Sequence, residues 1–404
     1  MPGTRLGPVA TLRTHRQSGR DSGDDAGGLR PPLPGDRRRA VRPGLSWLDR
    51  LLHPAHSANE DSGPLSRGGQ HPSGAGRAHG GAVGTPRGRD HPGGPDFGQA
   101  VAKGCYAWWY VDGISDDGSH ALTIIAFIGS VFSPYYALGR RFGHGDPHNH
   151  CALNVALYGR SSKLWALTER TREDLHRDTR SLQIGPSRLD WDGDVLTVHV
   201  DEITVPWPSR LRGVVRLRPK ALTGRVFDLD PNQRHHWHPV APCAQIEVDM
   251  ERPRLRWRGH AYFDCNFGDE PLEAAFVEWD WTRAQLGAST AVLYDTFPRH
   301  GPPVSLALRF DPTGGIDTFA PPPRAGLPST FWRVARHARS EDGTPHVIKT
   351  LEDTPFYARS LVAAKIGGEQ TLGVHESLSL DRVANPIVRA MLPFRMPRRR
   401  WRRT

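Results

Sequence analysis

Two short stretches in the second half of the chain concentrate acids, bases and aromatic rings. They read HHWHP at residues 235–239 and AYFDCNF at residues 261–267. Alternate side chains of a β-strand share a face, so extended stretches would place His235 beside Trp237, and Tyr262 beside Asp264. Aromatic faces attract positive charge and a carboxyl group can donate a proton. The pattern therefore suits a substrate that becomes a carbocation when it is protonated.

The elements that must position these residues are predicted to be short strands. The segment VLTVHVDEITV at residues 195–205 alternates, with Leu196, Val198 and Val200 on one face, and residues 215–218 and 304–310 behave similarly. A period of two is the signature of half-buried strands, whereas helical periodicity is weak throughout. The 43 Gly and 36 Pro of the 404 residues also argue against a long helical protein. We therefore predict an all-β fold of the barrel or sandwich type.

The positive charge of the chain lies at its two ends. The net charge is +10, of which residues 1–95 carry +6 and the last ten residues carry +6, which leaves −2 for the middle. A nucleic-acid-binding domain is expected to present a basic patch on its folded surface. A near-neutral middle is a poor nucleic-acid groove, so we expect no nucleic-acid partner.

The first part of the chain has a different composition from the rest. Residues 1–96 are rich in Gly, Pro and Arg, and such a segment buries too little apolar surface to offset its chain entropy. We predict a disordered extension there and interpret it as translated upstream DNA, with a true start further along the chain. Mass spectrometry of the native N-terminus tests this hypothesis.

Neither a membrane span nor a cysteine framework is indicated. The longest apolar run, at residues 121–132, is well short of the roughly 20 residues that a spanning helix needs. The cysteines at positions 105, 151, 243 and 265 are widely spaced and form no CxxC pair. This spacing favours neither a zinc ribbon nor a disulfide scaffold, and fits a reducing compartment.

Histidine clusters invite a metal interpretation. Three histidines lie at positions 235, 236 and 238, and DPHNH places His148 and His150 two residues apart. A zinc or non-haem iron site needs a third ligand, and the chain has no HExxH motif. We therefore expect no metal and no cofactor. The acidic run VDGISDDGSH, with Asp112, Asp116 and Asp117, is interpreted as a hairpin turn and not as a calcium loop.

Two interpretations of Asp264 remain open on the residues alone. An Asp before Cys-Asn-Phe-Gly at a strand end is often only a turn former, but a buried carboxyl group stays protonated near neutral pH and serves as an acid. Its face also carries His260, a possible supporting residue. Trp257 and Phe263 fall on the opposite face, where they are expected to pack in the core.

Several long strings together resemble the carotenoid 1,2-hydratase family, also called hydroxyneurosporene synthases. They are WWYVDGISDDGSHALTIIAFIGSVFSPYY from residue 108 and GDPHNHCALNVALYG from residue 145, followed by HHWHP and AYFDCNFG. The resemblance implies addition of water to the terminal C1=C2 bond of acyclic carotenoids such as neurosporene and lycopene, without a redox cofactor. It implies a lipocalin-like β scaffold in two units, which we place at residues 97–235 and 236–390. The family's proposed catalytic groups fall on His235, Trp237, Tyr262 and Asp264.

The chemistry that the resemblance implies assigns a role to each of these residues. Asp264 protonates the alkene, the rings of Tyr262 and Trp237 stabilise the tertiary cation, and water captures it. His235 orients the water, takes its proton or reprotonates Asp264. A non-catalytic lipocalin-like carrier of a carotenoid or another isoprenoid remains the alternative, because fold does not fix function.

The C-terminal end combines apolar residues with arginines. Residues 391–404 form a basic tail with six Arg around Trp401, directly after Ile387 and Val388. Basic clusters beside apolar residues favour an anionic membrane surface, and Trp prefers the interface. We expect peripheral attachment on the cytoplasmic side of the inner or intracytoplasmic membrane; a solvated tail is the alternative.

Overall fold

The computed structural model describes residues 88–90, 93–160 and 162–400. It is mostly strands, 54%, with few helices, which confirms the predicted all-β fold. The strands form a nearly closed barrel sheet and a second sheet. The predicted extension, residues 1–96, lies outside the described residues except for 88–90 and 93–96.

Thirteen strands form the barrel sheet. They are β1 Gly88–Asp90, β2 Tyr106–Ser115, β3 Ala121–Ile128, β4 Cys151–Tyr158, β5 Lys163–Arg170, β6 Leu175–Arg177, β7 Ser181–Ile184, β8 Ser187–Trp191, β9 Leu196–Ile203, β10 Arg210–Pro219, β11 Arg225–Asp228, β12 His235–Arg252 and β13 Leu255–Gly268. Their order is β5-β4-β3-β2-β13-β12-β10-β9-β8-β7-β6, and β11 pairs with β1 and β12. The long strands β12 and β13 therefore lie in the middle of this sheet.

Seven strands form the second sheet, and two further strands form a separate two-stranded sheet. The sheet contains β14 Phe276–Leu286, β15 Ser289–Pro298, β16 Val304–Phe310, β17 Ile316–Thr318, β20 His346–Asp353, β21 Tyr357–Ile366 and β22 Glu369–Ser379; the pair is β18 Arg324–Gly326 with β19 His337–Arg339. The order of the sheet is β17-β16-β15-β14-β22-β21-β20. All its neighbouring strands are antiparallel.

Strand alternation divides the apolar residues between two cores. Trp109 of β2 and Phe263 of β13 point into the core of the barrel sheet. Tyr110 and Tyr262, each one position away, belong instead to a core shared with Trp281 of the second sheet. Both faces of β2 are therefore buried along its whole length, and one face of β2 and β13 looks directly at the second sheet.

The sheets do not divide where the two predicted units do. The predicted boundary between residues 235 and 236 falls at the start of β12, which belongs to the barrel sheet. The second sheet begins only at Phe276. The division into two domains, at residues 97–235 and 236–390, stays a prediction.

In the part of the chain that the structure describes, four short α-helices connect the strands. They are α1 Pro134–Arg141, α2 Leu272–Ala275, α3 Leu380–Ala384 and α4 Pro386–Met391, and single 3-10 turns occupy Pro147–Asn149, Arg172–Asp174 and Leu392–Phe394. The Ser133 side chain caps α1 by accepting a hydrogen bond from the Tyr136 amide, and Pro134 occupies its first turn. Within the described part of the chain, no helix is long and apolar enough to cross a membrane.

The first half of the predicted basic tail is bound by the barrel sheet. Met396 is buried, and the Arg398 guanidinium forms an ion pair with the buried carboxylate of Glu169. The main chain adds two hydrogen bonds to β5, from the Glu169 amide to the Pro397 carbonyl and from the Arg399 amide to the Glu169 carbonyl, each 3.0 Å. A wholly solvated tail is thus the wrong picture for residues 396–399. Residues 401–404 lie outside the described part.

Candidate functional site

Three neighbouring strands bring the two chemistry-bearing stretches together. β13 lies between β2 and β12, and its register sets Asp264 opposite Tyr110, and Tyr262 opposite Asp112. On the other side, Trp237 of β12 lies opposite Asn266. Both stretches are extended, as predicted, so these polar and aromatic groups share the face that looks at the second sheet.

Asp264 is buried and held through only one of its two oxygens. Its Oδ2 accepts a hydrogen bond from the Tyr262 hydroxyl at 2.7 Å and another from Trp237 Nε1 at 2.9 Å. Its Oδ1 is fully buried and has no hydrogen-bond partner among the described residues. A buried polar atom without a partner is costly, and a catalytic role is one of the explanations for such an atom.

Burial keeps this carboxyl group protonated. Loss of hydration raises the pKa of Asp264 from 3.8 to about 8, although the hydrogen bonds from Tyr262 and Trp237 lower it. Nearby Glu376 and Asp112 raise the pKa further. Because Oδ2 already accepts two hydrogen bonds, the proton of the neutral acid belongs on Oδ1. The site thus presents an acidic hydrogen that no group of the described residues accepts.

Aromatic rings from both sheets surround the acid. The Tyr262 ring lies 5.4 Å from Trp281 of β14, and the Trp237 ring lies 5.6 Å from Tyr294 of β15, measured between ring centroids. Tyr110 adds an edge contact to Tyr262 at 6.2 Å. Ring faces stabilise a cation by about 2 kcal/mol or more each when water is excluded. An acid within such rings is suited to create a carbocation and to stabilise it.

His235 lies on the same face but apart from the acid. It pairs with Gly268, four residues along β13 from Asp264, so the two backbones are separated by about 13 Å at the usual rise of a strand. Its Nδ1 is 2.8 Å from the Tyr106 hydroxyl, and its Nε2 is 3.5 Å from Glu270. Burial lowers the pKa of His235 to about 4, so the ring is neutral at pH 7.

Gly268 explains how His235 and Tyr106 come so close. A Cβ atom at this position would lie 2.7 Å from His235 Nδ1 and 2.8 Å from the Tyr106 hydroxyl. Any other residue would therefore push the two side chains apart. The contact belongs to the aromatic wall of the site, because the Tyr106 ring stacks on Trp108 at 5.0 Å.

A buried ionic network that was not predicted lies next to the acid. Asp112 pairs with Arg283 at 2.8 Å and with Arg359 at 3.5 Å, and Arg359 also pairs with Glu376. The Tyr110 hydroxyl donates to Glu376 at 2.8 Å. Asp112 and Tyr110 belong to the barrel sheet, whereas the other three belong to the second sheet. The network therefore ties the sheets together beside Asp264, and its carboxylates raise the pKa of that acid.

The hairpin-turn interpretation of Asp112 is wrong. Asp112 is fully buried within β2, and the turn consists of residues 116–119, where Gly118 adopts a positive φ of 65°. The alternation of Trp108, Tyr110 and Asp112 was the signal that could have identified it. His260 does face this region as predicted, since its Nδ1 is 3.3 Å from Arg283.

The histidines considered as metal ligands have separate partners. His236 contacts Asp228 at 2.9 Å, His238 contacts the Thr223 carbonyl, and His150 contacts Glu169 at 2.8 Å. In residues 88–90, 93–160 and 162–400, no group of three or more His, Cys, Asp or Glu is placed to hold a metal ion.

The sequence comparisons agree with one another. Residues 124–404 match the family model described as Carotenoid hydratase CrtC. The chain is 54% identical over 376 residues to an acyclic carotenoid 1,2-hydratase of Thiocapsa roseopersicina, with 93% of each chain covered. It is 52% identical over 379 residues to an acyclic carotenoid 1,2-hydratase of Rubrivivax gelatinosus, again with 93% of each covered.

A match of this length reaches beyond the described residues. Because 93% of the chain is more than residues 97–404, the alignments include part of the N-terminal segment. Among solved structures, a putative AttH of Nitrosomonas europaea aligns with 68% of this chain and 92% of its own, at a TM-score of 0.47 and 14% identity.

Proposed function

We propose a specific reaction for this chain, which belongs to the carotenoid hydratase family CrtC. In this proposal the chain adds water to the terminal C1=C2 bond of an acyclic carotenoid, such as neurosporene or lycopene, and yields a 1-hydroxy carotenoid. No electrons are gained or lost overall, so the enzyme is a hydro-lyase that needs no redox cofactor. The observation that carries the mechanism is the single unpartnered oxygen of Asp264 within a cage of aromatic rings.

The first step is protonation of the alkene. The hydrogen on Asp264 Oδ1 is transferred to C2, the π electrons of the double bond form the new C–H bond, and C1 becomes a tertiary cation. The carboxylate that remains accepts hydrogen bonds from Tyr262 and Trp237, and these bonds strengthen as negative charge develops. The donor pair therefore stabilises the transition state more than the ground state.

The second step is capture of the cation by water. A lone pair of water forms the C–O bond at C1, and the proton that the resulting oxonium loses returns to the Asp264 carboxylate. The acid is thereby restored with no net gain or loss of protons. We assign His235 a structural role at the Tyr106 wall, because about 13 Å of strand separates it from Asp264.

We also propose that the enzyme attaches peripherally to the cytoplasmic face of the membrane in which an acyclic carotenoid is dissolved. An apolar polyene has little solubility in water, so a surface near the lipid would shorten its transfer. This part of the proposal rests on the chemistry of the substrate and on the surface described below.

Isotope labelling tests the reaction. The purified chain is incubated with neurosporene or lycopene in H₂¹⁸O, and in a parallel reaction in D₂O, and the products are analysed by mass spectrometry. We expect one ¹⁸O on C1 and one solvent deuterium on C2. Unchanged carotenoid that co-purifies with the protein would favour the carrier, whereas ¹⁸O without deuterium at C2 would refute protonation by an exchangeable acid.

A further inference from the structure

Exposed apolar side chains are concentrated in three segments of the chain. Nine large apolar residues are exposed among the described residues, and seven of them lie on or beside α1, in the loop at residues 331–333, or on α4 and the turn after it. The most exposed are Phe331 at 86%, Phe394 at 81%, Ile387 at 73% and Phe142 at 65%. Scattered apolar residues are normal on a surface, but a concentration marks an interaction site.

Ion pairs and hydrogen bonds hold these segments side by side. Arg140 of α1 and Arg389 of α4 both pair with the same oxygen of Glu273, at 2.5 and 2.9 Å. Arg382 of α3 donates to the carbonyl of Trp332 at 2.5 Å. The three segments, together called the docking surface (residues 132–144, 329–335 and 380–400), therefore lie next to one another.

The docking surface has a strong excess of positive charge. Its segments contain nine Arg and one acid, Asp381, which pairs with Arg299. Four of the nine pair with acids outside the segments, namely Arg140 and Arg389 with Glu273, Arg398 with Glu169, and Arg400 with Glu173. Among the others, Arg141, Arg333 and Arg399 are exposed. Apolar side chains surrounded by arginines match an interface that is apolar inside and anionic at its boundary, and each Arg near such a surface contributes about a threefold to tenfold gain in affinity.

Aromatic contacts connect this surface to the acid. Phe132, directly before α1, lies 6.0 Å from Phe127, which lies 6.1 Å from Trp108. Trp108 in turn lies 6.2 Å from Trp279 of the second sheet. Trp279 contacts Tyr294, the ring beside Trp237. A row of rings thus leads from the docking surface to the site between the sheets.

We propose that the docking surface binds an anionic lipid bilayer, with the exposed aromatic side chains directly after α1, in the 331–333 loop and in the turn after α4 inserted among the headgroups. The apolar end of the substrate then passes from the bilayer along the row of rings to Asp264. The identity of that substrate rests on the proposed function, but the binding to lipid does not. The basic tail alone is a weaker anchor, because Arg398 and Met396 are already occupied within the protein.

Vesicle sedimentation without any carotenoid tests the surface. The full chain is mixed with vesicles of phosphatidylcholine alone, or of phosphatidylcholine with about one-third phosphatidylglycerol. The triple variant Phe142→Ser, Phe331→Ser, Phe394→Ser removes exposed side chains only, so folding is expected to persist. Trp207→Ser is the matched control, since Trp207 is 83% exposed but lies in the β9–β10 connection.

We expect the parent chain and the Trp207→Ser variant to bind the anionic vesicles, and the triple variant to bind at least about tenfold more weakly, as burial of even one aromatic side chain predicts. Equal binding by all three proteins would overturn the proposal. If the triple variant binds vesicles like the parent but forms a smaller oligomer, the proposal is overturned, and a second copy of the chain is the partner of this face.

A paired activity measurement separates this inference from the proposed reaction. With carotenoid in detergent micelles the triple variant should turn over like the parent, whereas with carotenoid in vesicles it should be slower by a similar factor. Loss of vesicle binding with no hydratase activity in any protein would refute the reaction and leave the surface intact. If the triple variant hydrates carotenoid in vesicles as fast as the parent does, the proposed role of the docking surface is refuted.

Discussion

Replacing Asp264 by Asn separates the chemistry of the site from its stability. The amide keeps the shape of the carboxyl group, and its oxygen still accepts from Tyr262 and Trp237. It carries no proton of comparable acidity for the alkene. General acid catalysis contributes about a hundredfold to ten-thousandfold, and the proposed mechanism assigns no second acid, so we expect kcat to fall by at least about a thousandfold.

The same change should make the protein more stable. The folded-state pKa of Asp264 is about 8, against 3.8 as its ordinary value. Keeping it protonated at pH 7 thus costs about 4 kcal/mol, at about 1.4 kcal/mol per unit. An amide has no such cost. Its buried NH₂ group lacks a hydrogen-bond acceptor among the described residues, but so does the hydroxyl of the neutral acid. We expect a net gain of about 2 to 4 kcal/mol in the free energy of unfolding.

The pH dependence of this gain has a definite sign. A carboxyl group whose pKa is raised on folding contributes its stability fully below the unfolded pKa and loses it as the pH rises through the folded pKa. The advantage of Asp264→Asn should therefore be small near pH 4, grow up to about pH 8, and then level off. Activity of the parent chain should decline above about pH 8, as the acid ionises.

Urea denaturation across this pH range, with turnover of neurosporene or lycopene alongside, measures both effects. Asp194→Asn is the control, because it makes the same chemical change on an exposed side chain. A folded Asp264→Asn variant that retains substantial hydratase activity would place the proton donor elsewhere. If the variant is instead less stable at every pH, the carboxyl group is not protonated in the folded protein.

Three further perturbations test other contacts of the site. Trp237→Phe and Tyr262→Phe keep a ring but remove a hydrogen-bond donor to Asp264 Oδ2. We expect kcat to fall about tenfold, less than in the Ala variants, and the alkaline limb of the pH–rate profile to move to higher pH, because these donors lower the pKa of Asp264. Equal losses in the Phe and Ala variants would contradict cation stabilisation. His235→Phe removes the hydrogen bond to Tyr106, so we expect unfolding to become easier by about 1 to 3 kcal/mol and kcat to fall in proportion to lost folded protein. In the parent, the lowered pKa of His235 should cost stability as the pH falls from 6.5 to about 4, and this trend should vanish in the variant; a much larger loss of kcat in fully folded protein would restore His235 to proton transfer. Truncation of residues 396–404 removes the buried Met396 and also Arg398, one of two partners of buried Glu169, which keeps its contact with His150. It should cost about 2 to 4 kcal/mol in thermal or urea unfolding. Truncation of residues 401–404 should spare stability and weaken binding to anionic vesicles; unaltered stability of the longer truncation would contradict the tail contact.

The local part of this site could be predicted from the sequence. The period of two in HHWHP and AYFDCNF sets which side chains share a face, because a strand alternates regardless of what surrounds it. Tyr262 and Asp264 therefore had to lie together, and Trp257 and Phe263 had to lie opposite. Long, unusual sequence strings were enough to identify the family, because a family match requires no knowledge of which residues are in contact.

The sequence also predicted strands where the structure has them, but not how many sheets they form. Residues 195–205 alternate and contain all of β9, and residues 304–310 form β16. The continuation of the barrel sheet through β12 and β13 past the predicted boundary depends on pairing with β2, which is more than a hundred residues away. Alternation reports which face is buried, but it carries no information about which strand lies alongside.

Only the tertiary structure decided the electrostatics of the acid. Arg359 and Glu376 lie on strands of the second sheet, and nothing near them in the sequence points toward Asp112. Asp112 itself looked like a turn residue, because its burial comes from the second sheet packing over β2. The same packing excludes water from Asp264 and raises its pKa. Residue types thus determined which proton-carrying group is present, whereas its protonation depends on desolvation by residues distant in sequence, a property that no local pattern encodes.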